Sequence, residues 1–270
     1  MIDDDFEFLG NLLKKRSGLA LTKDKLYLLE SRLLPIARAL GLPDLATLVK
    51  LIREKNDEKV IAEVIDAMTT NESMFFRDQK PFDQLKQILL PALKQKNSSS
   101  NKIKIWSAAC SNGQEPYSLS MCLLEEAVRM QGFNYEIIAT DISPRVLEKA
   151  KEGKYTQFEI QRGLPITMML KYFKQLPENN WQANDTLRSM VTFKYQNLLE
   201  NINALGKFDI IFCRNVLIYF DEATKRGVLD KMSQMLNPNG YLILGSTETI
   251  FGISDKFKNL ENERGIYILA

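Results

Sequence analysis

Residues 103–118, which read I-K-I-W-S-A-A-C-S-N-G-Q-E-P-Y-S, restrict the fold of this chain more than any other stretch. The first six residues are a short apolar run with isoleucines and a tryptophan, the pattern of a buried parallel strand. Small residues follow (Ala108, Ala109, Ser111), with Gly113 where a backbone must pass close to another group. Pro116 then stands where a first helical turn begins, with Glu115 beside it. Strand, tight loop and helix start together form the arrangement by which α/β proteins hold a nucleotide-like ligand. The loop has no G-x-G-x-x-G, because the next glycine after Gly113 is Gly132. A pyrophosphate-cradling site is therefore disfavoured. Glu115 also occupies the electropositive helix end that a phosphate needs, so the loop suits an uncharged or cationic nucleoside better.

The chain contains no histidine. That removes Ser-His-Asp chemistry, imidazole acid–base catalysis and His-ligated metal sites, and no metal centre is expected. With 36 basic and 34 acidic residues in 270, nothing in the overall charge points to nucleic acid or to a membrane surface. There is no 18-residue apolar run, and Asp3, Asp4 and Asp5 stand where a signal peptide would carry its basic end. Cys110, Cys122 and Cys213 form no C-x-x-C and lie in apolar or small-residue surroundings. Reduced, mostly buried thiols in a cytoplasmic protein are expected.

Residues 1–68 show helical signals without a strand among them. Residues 11–18 close a first helix, Thr22 caps a second through Leu33 that Pro35 should end or kink, and Asp44 caps a third through Lys55. A fourth, from Asp57, puts Val60, Ile61, Val64, Ile65 and Met68 on one stripe. Between residues 14 and 38 stand Lys14, Lys15, Arg16, Lys23, Lys25, Arg32 and Arg38 against only Asp24 and Glu30. That is either a solvated face or a docking surface for an acidic partner. Residues 69–78, T-T-N-E-S-M-F-F-R-D, read alone as a linker with an aromatic anchor at Phe75 and Phe76. Asp78 then caps a helix from Gln79 to Leu90 ended by Pro91, and the serine-containing residues 97–101 form a surface loop.

From Ile103 strands and helices alternate, which predicts a mostly parallel sheet with helices on both faces. The predicted order is a helix over 116–130, a strand over 135–139, a helix over 144–152 and a strand over 191–195. A strand over 208–213, a helix capped by Asp221, a strand over 241–244 after a turn at 237–240, and a closing hairpin (257–260 with 266–269) complete it. Residues 153–190 interrupt the rhythm as an inserted subdomain, with a helix near Pro165 and a hairpin turning at Asn184-Asp185.

In such sheets ligands lie at the carboxyl ends of the strands. Asp141, just past the second strand, is placed to accept from ribose hydroxyls or to cap the next helix, although Ser143 suits the cap better. Asn197 and Asn215 are neutral groups for an adenine edge or an amino-acid zwitterion, or else ordinary turn residues. Arg214 sits in the apolar run F-C-R-N-V-L-I-Y-F and needs a carboxylate or carbonyl partner if buried. Tyr219 either faces a ligand or is a core tyrosine.

W-S-A-A-C-S-N-G-Q-E-P-Y-S, A-T-D-I-S, N-L-L and F-C-R-N-V-L-I-Y-F together resemble the chemotaxis-receptor glutamate methyltransferases, the CheR-type class I S-adenosylmethionine enzymes. T-T-N-E-S-M-F-F-R and the helical start are similar too, so the resemblance covers residues 5–270. It implies an N-terminal helical docking domain over 1–70, an inter-domain segment over 71–101 that contributes to the cofactor site, and a methyltransferase domain over 102–270. That domain would hold a Rossmann-like seven-stranded sheet and a small β-subdomain inserted at about 154–190. It further implies S-adenosylmethionine as cofactor, with S-adenosylhomocysteine as product. The matching contact positions are Asn71, Ser73, Arg77, Glu115, Asp141, Asn197, Leu198, Arg214 and Asn215, with Arg77 and Tyr219 nearest the transferred methyl. The 69–78 linker thereby becomes a wall over the cofactor.

The implied acceptors are glutamates in the cytoplasmic helical methylation region of chemoreceptors, which makes this a cytoplasmic protein that associates with membrane receptor clusters. Rival readings are a non-catalytic cofactor-binding scaffold and a methyltransferase for another carboxylate. Two departures stand out. Ser73 replaces a common threonine, and residues 174–193 lack the glycine-containing loop with which some members grip a receptor-tethered pentapeptide. Independence from such a tether is expected.

Overall fold

The computed structural model describes residues 3–97 and 100–270, except the side chains of Asp3 and Lys23. Ser98 and Ser99 of the expected surface loop, and the Lys23 side chain of the basic run, lie outside the described residues. Two units divide the chain. One comprises Met1–Thr70 with Tyr219–Thr224, the other Asn71–Ile218 with Lys225–Ala270.

The first unit is built from α1 (Asp3–Ser17), α2 (Leu26–Ala39), α3 (Leu45–Lys55) and α4 (Glu58–Met68). Leu9, Leu13, Leu29, Leu33, Leu48 and Val64 form its solvent-free core. Asp44 caps α3 as expected, and Asp57 caps α4, their carboxylates accepting from the Thr47 and Lys59 N–H groups. Thr22 does not cap α2, because a 3-10 turn over Lys23–Lys25 intervenes. Pro35 does not end α2 either. The helix runs four residues past it, since Leu29, Leu33 and Ala37 repeat every fourth position into the core and their burial outweighs the lost backbone hydrogen bond. Much of the basic run is committed within this unit. Lys14 pairs with Asp221 (2.7 Å), Arg16 pairs with Glu58, and Arg32 donates to the Met68 and Thr69 carbonyls at the end of α4.

In the second unit α5 (Lys80–Gln84), a π-turn (Leu85–Leu89) and α6 (Leu90–Lys96) precede β1 (Lys102–Ala108). Asp78 caps nothing here, and Pro91 falls inside the helical run rather than ending it. The wider π-turn, with the Leu90 N–H on the Leu85 carbonyl, lets the chain pass a proline that has no N–H to give. Next come α7 (Gln114–Glu125), β2 (Asn134–Asp141), α8 (Pro144–Glu152) and β3 (Lys154–Thr156), then α9 (Gln157–Gln161), α10 (Ile166–Tyr172), β4 (Phe173–Leu176), β5 (Asn180–Ala183) and α11 (Asp185–Ser189). The remaining elements are β6 (Val191–Tyr195), β7 (Phe208–Cys213), α12 (Glu222–Met235), β8 (Leu236–Leu244), β9 (Phe257–Asn259) and β10 (Ile266–Leu269). The expected turn at 237–240 is instead part of β8, joined to β7 through an irregular register. The helix expected to reach 130 ends at Glu125 and continues as turns.

The main sheet has the order β6-β2-β1-β7-β8-β10-β9. β6, β2, β1, β7 and β8 are parallel, and β10 and β9 close it antiparallel. The chain moves one way from β1 to β2 and β6, then returns to β7 on the other side. The carboxyl ends of β1 and β7 therefore frame the crevice at the reversal of strand order. β3, β5 and β4 form a separate antiparallel sheet in the insert. Its hairpin turns at residues 177–179, with Glu178 and Asn179 both left-handed. Asn184, the expected turn, is the N-cap of α11 and accepts from the Leu187 N–H.

The insert packs on the 71–78 segment. Phe75 stands edge-on to Tyr155 and Phe173 at 5.0 and 5.4 Å between ring centres, and Arg162 pairs with Glu72 at 2.8 Å. Gly163, at φ +82°, lies so close that an added Cβ would meet the Phe75 carbonyl oxygen at 2.0 Å. Gly163→Ala is therefore expected to destabilise the protein by about 2 kcal/mol or more, since the backbone cannot give way cheaply. A fall in the midpoint of urea unfolding measures it.

Candidate functional site

β1 delivers Ala108 to the crevice, and the loop behind it bends through Ala109, Ser111 and Gly113, all at positive φ. Gly113 is the obligatory member, because a side chain there would press on Ala150 Cβ at 2.9 Å. The loop is held from several sides. The Cys110 N–H donates to Thr140 O, the Ser111 N–H to Asp141 Oδ2 (2.8 Å), and Tyr155 Oη to Asn112 O (2.8 Å). Asp141, buried at the end of β2, also accepts from the Ser143 N–H through Oδ1 (3.0 Å), while Ser143 itself caps α8. Asp141 thus anchors two loops.

Glu115 lies in the first turn of α7, where its charge suits the helix dipole. Its Oε1 accepts from Ser107 Oγ (2.8 Å) and its Oε2 from Arg214 Nη1 (2.9 Å). The Arg214 side chain, 1% exposed at the end of β7, also reaches Asp78 Oδ2 (3.0 Å) and the Arg77 carbonyl (2.6 Å) through Nη2. The partner that the apolar run demanded for Arg214 is therefore a pair of carboxylates from two other elements. Arg214 Nε and Gln114 Oε1 stay buried with no partner among the described residues.

The 71–78 segment is fixed along its length. Ser111 Oγ and Asn112 Nδ2 donate to Asn71 O, and the Phe76 N–H donates to Ser118 Oγ. Arg77 Nη1 donates to Glu72 O. Phe76 and Asp78 are left-handed, an unfavourable state for a phenylalanine that these bonds hold in place. Ser73 is half-buried in the same segment.

Asn197 and Leu198 are buried after β6. Asn197 Oδ1 accepts from the Leu199 N–H, and Lys231 Nζ ties down the carbonyls of Leu198, Leu199 and Glu200. Asn215, left-handed, follows Arg214. Asn71, Ser73, Arg77, Glu115, Asp141, Asn197, Leu198, Arg214 and Asn215 thus all belong to the second unit. Tyr219 belongs to the first, where its carbonyl accepts from the Ala20 N–H (2.9 Å).

Two residues that order this site were not read from the sequence. Glu248, 8% exposed, accepts four backbone N–H groups, two on each oxygen. Oε2 takes Asn215 (2.8 Å) and Gly245 (2.7 Å), and Oε1 takes Val216 (3.0 Å) and Leu217 (2.8 Å). Lys231 is the second, and burial lowers its pKa. A carboxylate three residues past the glycine that ends a buried strand, and a lysine beside the stripe of Val228, Leu229 and Met232, were the available signals. Cys110 and Cys213 lie nearby, but burial, and then the neighbouring carboxylates, push both thiols well up, so they are poor nucleophiles.

Residues 71–266 match the family described as "CheR methyltransferase, SAM binding domain", and residues 4–69 match "CheR methyltransferase, all-alpha domain". The chain is 40% identical over 266 residues to the chemotaxis protein methyltransferase of Vibrio anguillarum, covering 98% of this chain and 96% of that one. It is 40% identical over 269 residues to chemotaxis protein methyltransferase 1 of Pseudomonas aeruginosa, covering 98% and 97%.

In Glu248→Gln one of the two oxygens becomes an NH2 donor, which leaves two of the four N–H groups without an acceptor. The expected cost is about 2–4 kcal/mol. Faster amide hydrogen exchange at residues 215–217 and 245, ahead of the rest of the sheet, is the measurement that checks it.

Proposed function

Because the chain belongs to the CheR methyltransferase family and is an S-adenosylmethionine-dependent methyltransferase, we propose that its acceptors are glutamate side chains of chemoreceptors, converted to methyl esters. The observation that carries this reading is the absence of histidine, and with it of an imidazole general base. A glutamate side chain, with a pKa near ~4.3, is already an anionic nucleophile at neutral pH. An amine or alcohol acceptor would have to lose a proton, and the chain has no imidazole to take it.

The donor set of the crevice fits the cofactor. Asp141 offers acceptor capacity for a ribose diol, Asn197 and Asn215 offer neutral amides, and Glu115 and Asp78 make the region around Arg214 receptive to an ammonium group. The buried, unpartnered Arg214 Nε and Gln114 Oε1 supply further polar capacity. In this reading Asn71, Ser73, Arg77, Glu115, Asp141, Asn197, Leu198, Arg214 and Asn215 hold the cofactor. The cofactor supplies an electrophilic methyl on a sulfonium, which passes to a carboxylate oxygen and leaves a neutral thioether and an ester, with no proton released. Arg77 orients a carboxylate and Tyr219 the acceptor oxygen. Positioning and exclusion of water then carry the rate, effects that reach roughly 7–11 kcal/mol for well-oriented reactants.

Lys15, Lys25 and Arg38 remain in the helical unit to attract an acidic acceptor, after Lys14, Arg16 and Arg32 have found partners. Their contribution weakens with salt. The fold and sequence of the insert support independence from a tethered pentapeptide. Its β4–β5 hairpin turns through Pro177, Glu178 and Asn179, with no glycine from residue 174 to residue 193. The protein is expected to work in the cytoplasm at receptor clusters.

The deciding experiment supplies methyl-labelled S-adenosylmethionine with chemoreceptor cytoplasmic fragments or RNA. Base-labile label in the fragment is expected; label in RNA, or none despite S-adenosylhomocysteine binding, would overturn the reading. Arg77→Ala should lower turnover and cofactor affinity together, and normal turnover removes Arg77 from the site. Calorimetry with a receptor C-terminal pentapeptide should show no binding, and micromolar affinity refutes tether independence.

A further inference from the structure

Lys231, on α12, spends its charge on the main chain of another element. Its Nζ donates to three successive carbonyls after β6, those of Leu198 (3.2 Å), Leu199 and Glu200 (3.1 Å). An ammonium has three N–H donors, so this tripod uses all of them. Among the described residues no carboxylate forms an ion pair with Lys231, and the three carbonyls accept from no other group. The near end of the same loop is fastened elsewhere, because the Gln196 N–H donates to Asp141 O (3.0 Å). Within it the Leu199 N–H donates to Asn197 Oδ1 (2.9 Å) and the Glu200 N–H to Asn197 O (3.0 Å). Residues 196–200 are therefore held between the end of β2 and α12, and the α12 side of that hold is one lysine.

We propose that Lys231 is a positioning residue for the cofactor, which fixes the loop carrying Asn197 and Leu198 before S-adenosylmethionine arrives. This rests on the assignment of Asn197 and Leu198 to the cofactor and extends it to a residue behind them. Three consecutive carbonyls converging on one point are a costly arrangement without a cation between them, since their dipoles oppose one another and each needs a donor. With Lys231 in place that cost is met in the fold. A loop that orders only on binding subtracts its ordering entropy from the affinity, and a loop held beforehand does not. The fraction of molecules ready to bind scales the apparent affinity directly. A lysine that served stability alone would lower the unfolding midpoint and leave the affinity of the folded protein unchanged.

The test compares wild type with Lys231→Met, which keeps an unbranched stem and removes the donors, and with Lys231→Arg, which keeps a cation with several donors. In calorimetry Lys231→Met is expected to bind S-adenosylhomocysteine roughly tenfold more weakly, and Lys231→Arg should lie closer to wild type than to Lys231→Met. The cofactor KM should rise by the same factor with the acceptor KM unchanged. Amide exchange at Leu199 and Glu200 should be slow in wild type with or without ligand. In Lys231→Met it should be fast, and slow again once S-adenosylhomocysteine is added. Equal affinity in Lys231→Met, arginine no better than methionine, or exchange in Lys231→Met as slow as in wild type overturns the proposal. Wild type alone decides if the methionine variant does not fold: protection at these two amides before ligand supports the proposal, and protection that arises only with ligand overturns it. Asn197→Ala separates this proposal from the cofactor assignment. Weaker binding in Asn197→Ala with wild-type binding in Lys231→Met refutes the role of Lys231 alone. The reverse result removes Asn197 from the site and leaves Lys231 acting through Leu198.

Discussion

One buried guanidinium joins the parts of the second unit that matter for function. Arg214 comes from the end of β7, Glu115 from the first turn of α7, and Asp78 with the Arg77 carbonyl from the segment before α5. Three stretches far apart in sequence meet on one side chain that is 1% exposed. Placing such a charge out of water costs several kcal/mol, and two carboxylates with a carbonyl offset it only when their geometry is right. The cluster therefore specifies an arrangement more than it adds stability. If the 71–78 segment lifts away, Arg214 loses two of its three partners.

Carboxylates in this region act largely as acceptors for the backbone. Asp141 ties the loop after β1 to the start of α8, and Glu248 gathers the N–H groups of the loop after β7 together with Gly245 after β8. Irregular loops leave main-chain donors unsatisfied, and an ionised oxygen is the strongest acceptor available for them. A site assembled in this way is set in shape before any ligand arrives. That suits a methyl transfer, which depends on the alignment of its reactants.

The sheet was legible because its strands are continuous apolar runs ended by small or polar residues, and residues 103–108 and 208–213 fall within the observed β1 and β7. The Asp44, Ser143 and Asp221 caps were legible for the same local reason. Misreadings arose where a distant contact overrode a local rule. Pro35 and Pro91 carry strong stop signals, yet core packing and a π-turn carry the helix past each. Asp78 has the form of a cap but is drawn to Arg214, and Asn184 has the form of a hairpin turn but caps α11. Glu248 was easily missed because its partners are main-chain groups, and its position three residues past Gly245 was the one local signal. The need of Arg214 for a counter-charge could be read from its apolar neighbours; which carboxylates would supply it could not.

Around the crevice Phe76, Asp78, Ala109, Ser111 and Asn215 all adopt a handedness that ordinary residues avoid. Phe76, Ala109 and Ser111 each hold it at a cost of roughly 1–2 kcal/mol that glycine would not incur, and Asp78 and Asn215 at less. Glycine, however, would let these turns wander among many shapes, and narrowing them again would fall on the ligand. The chain thus carries a standing tension in these turns, and in return an arriving molecule meets walls whose shape the backbone already fixes.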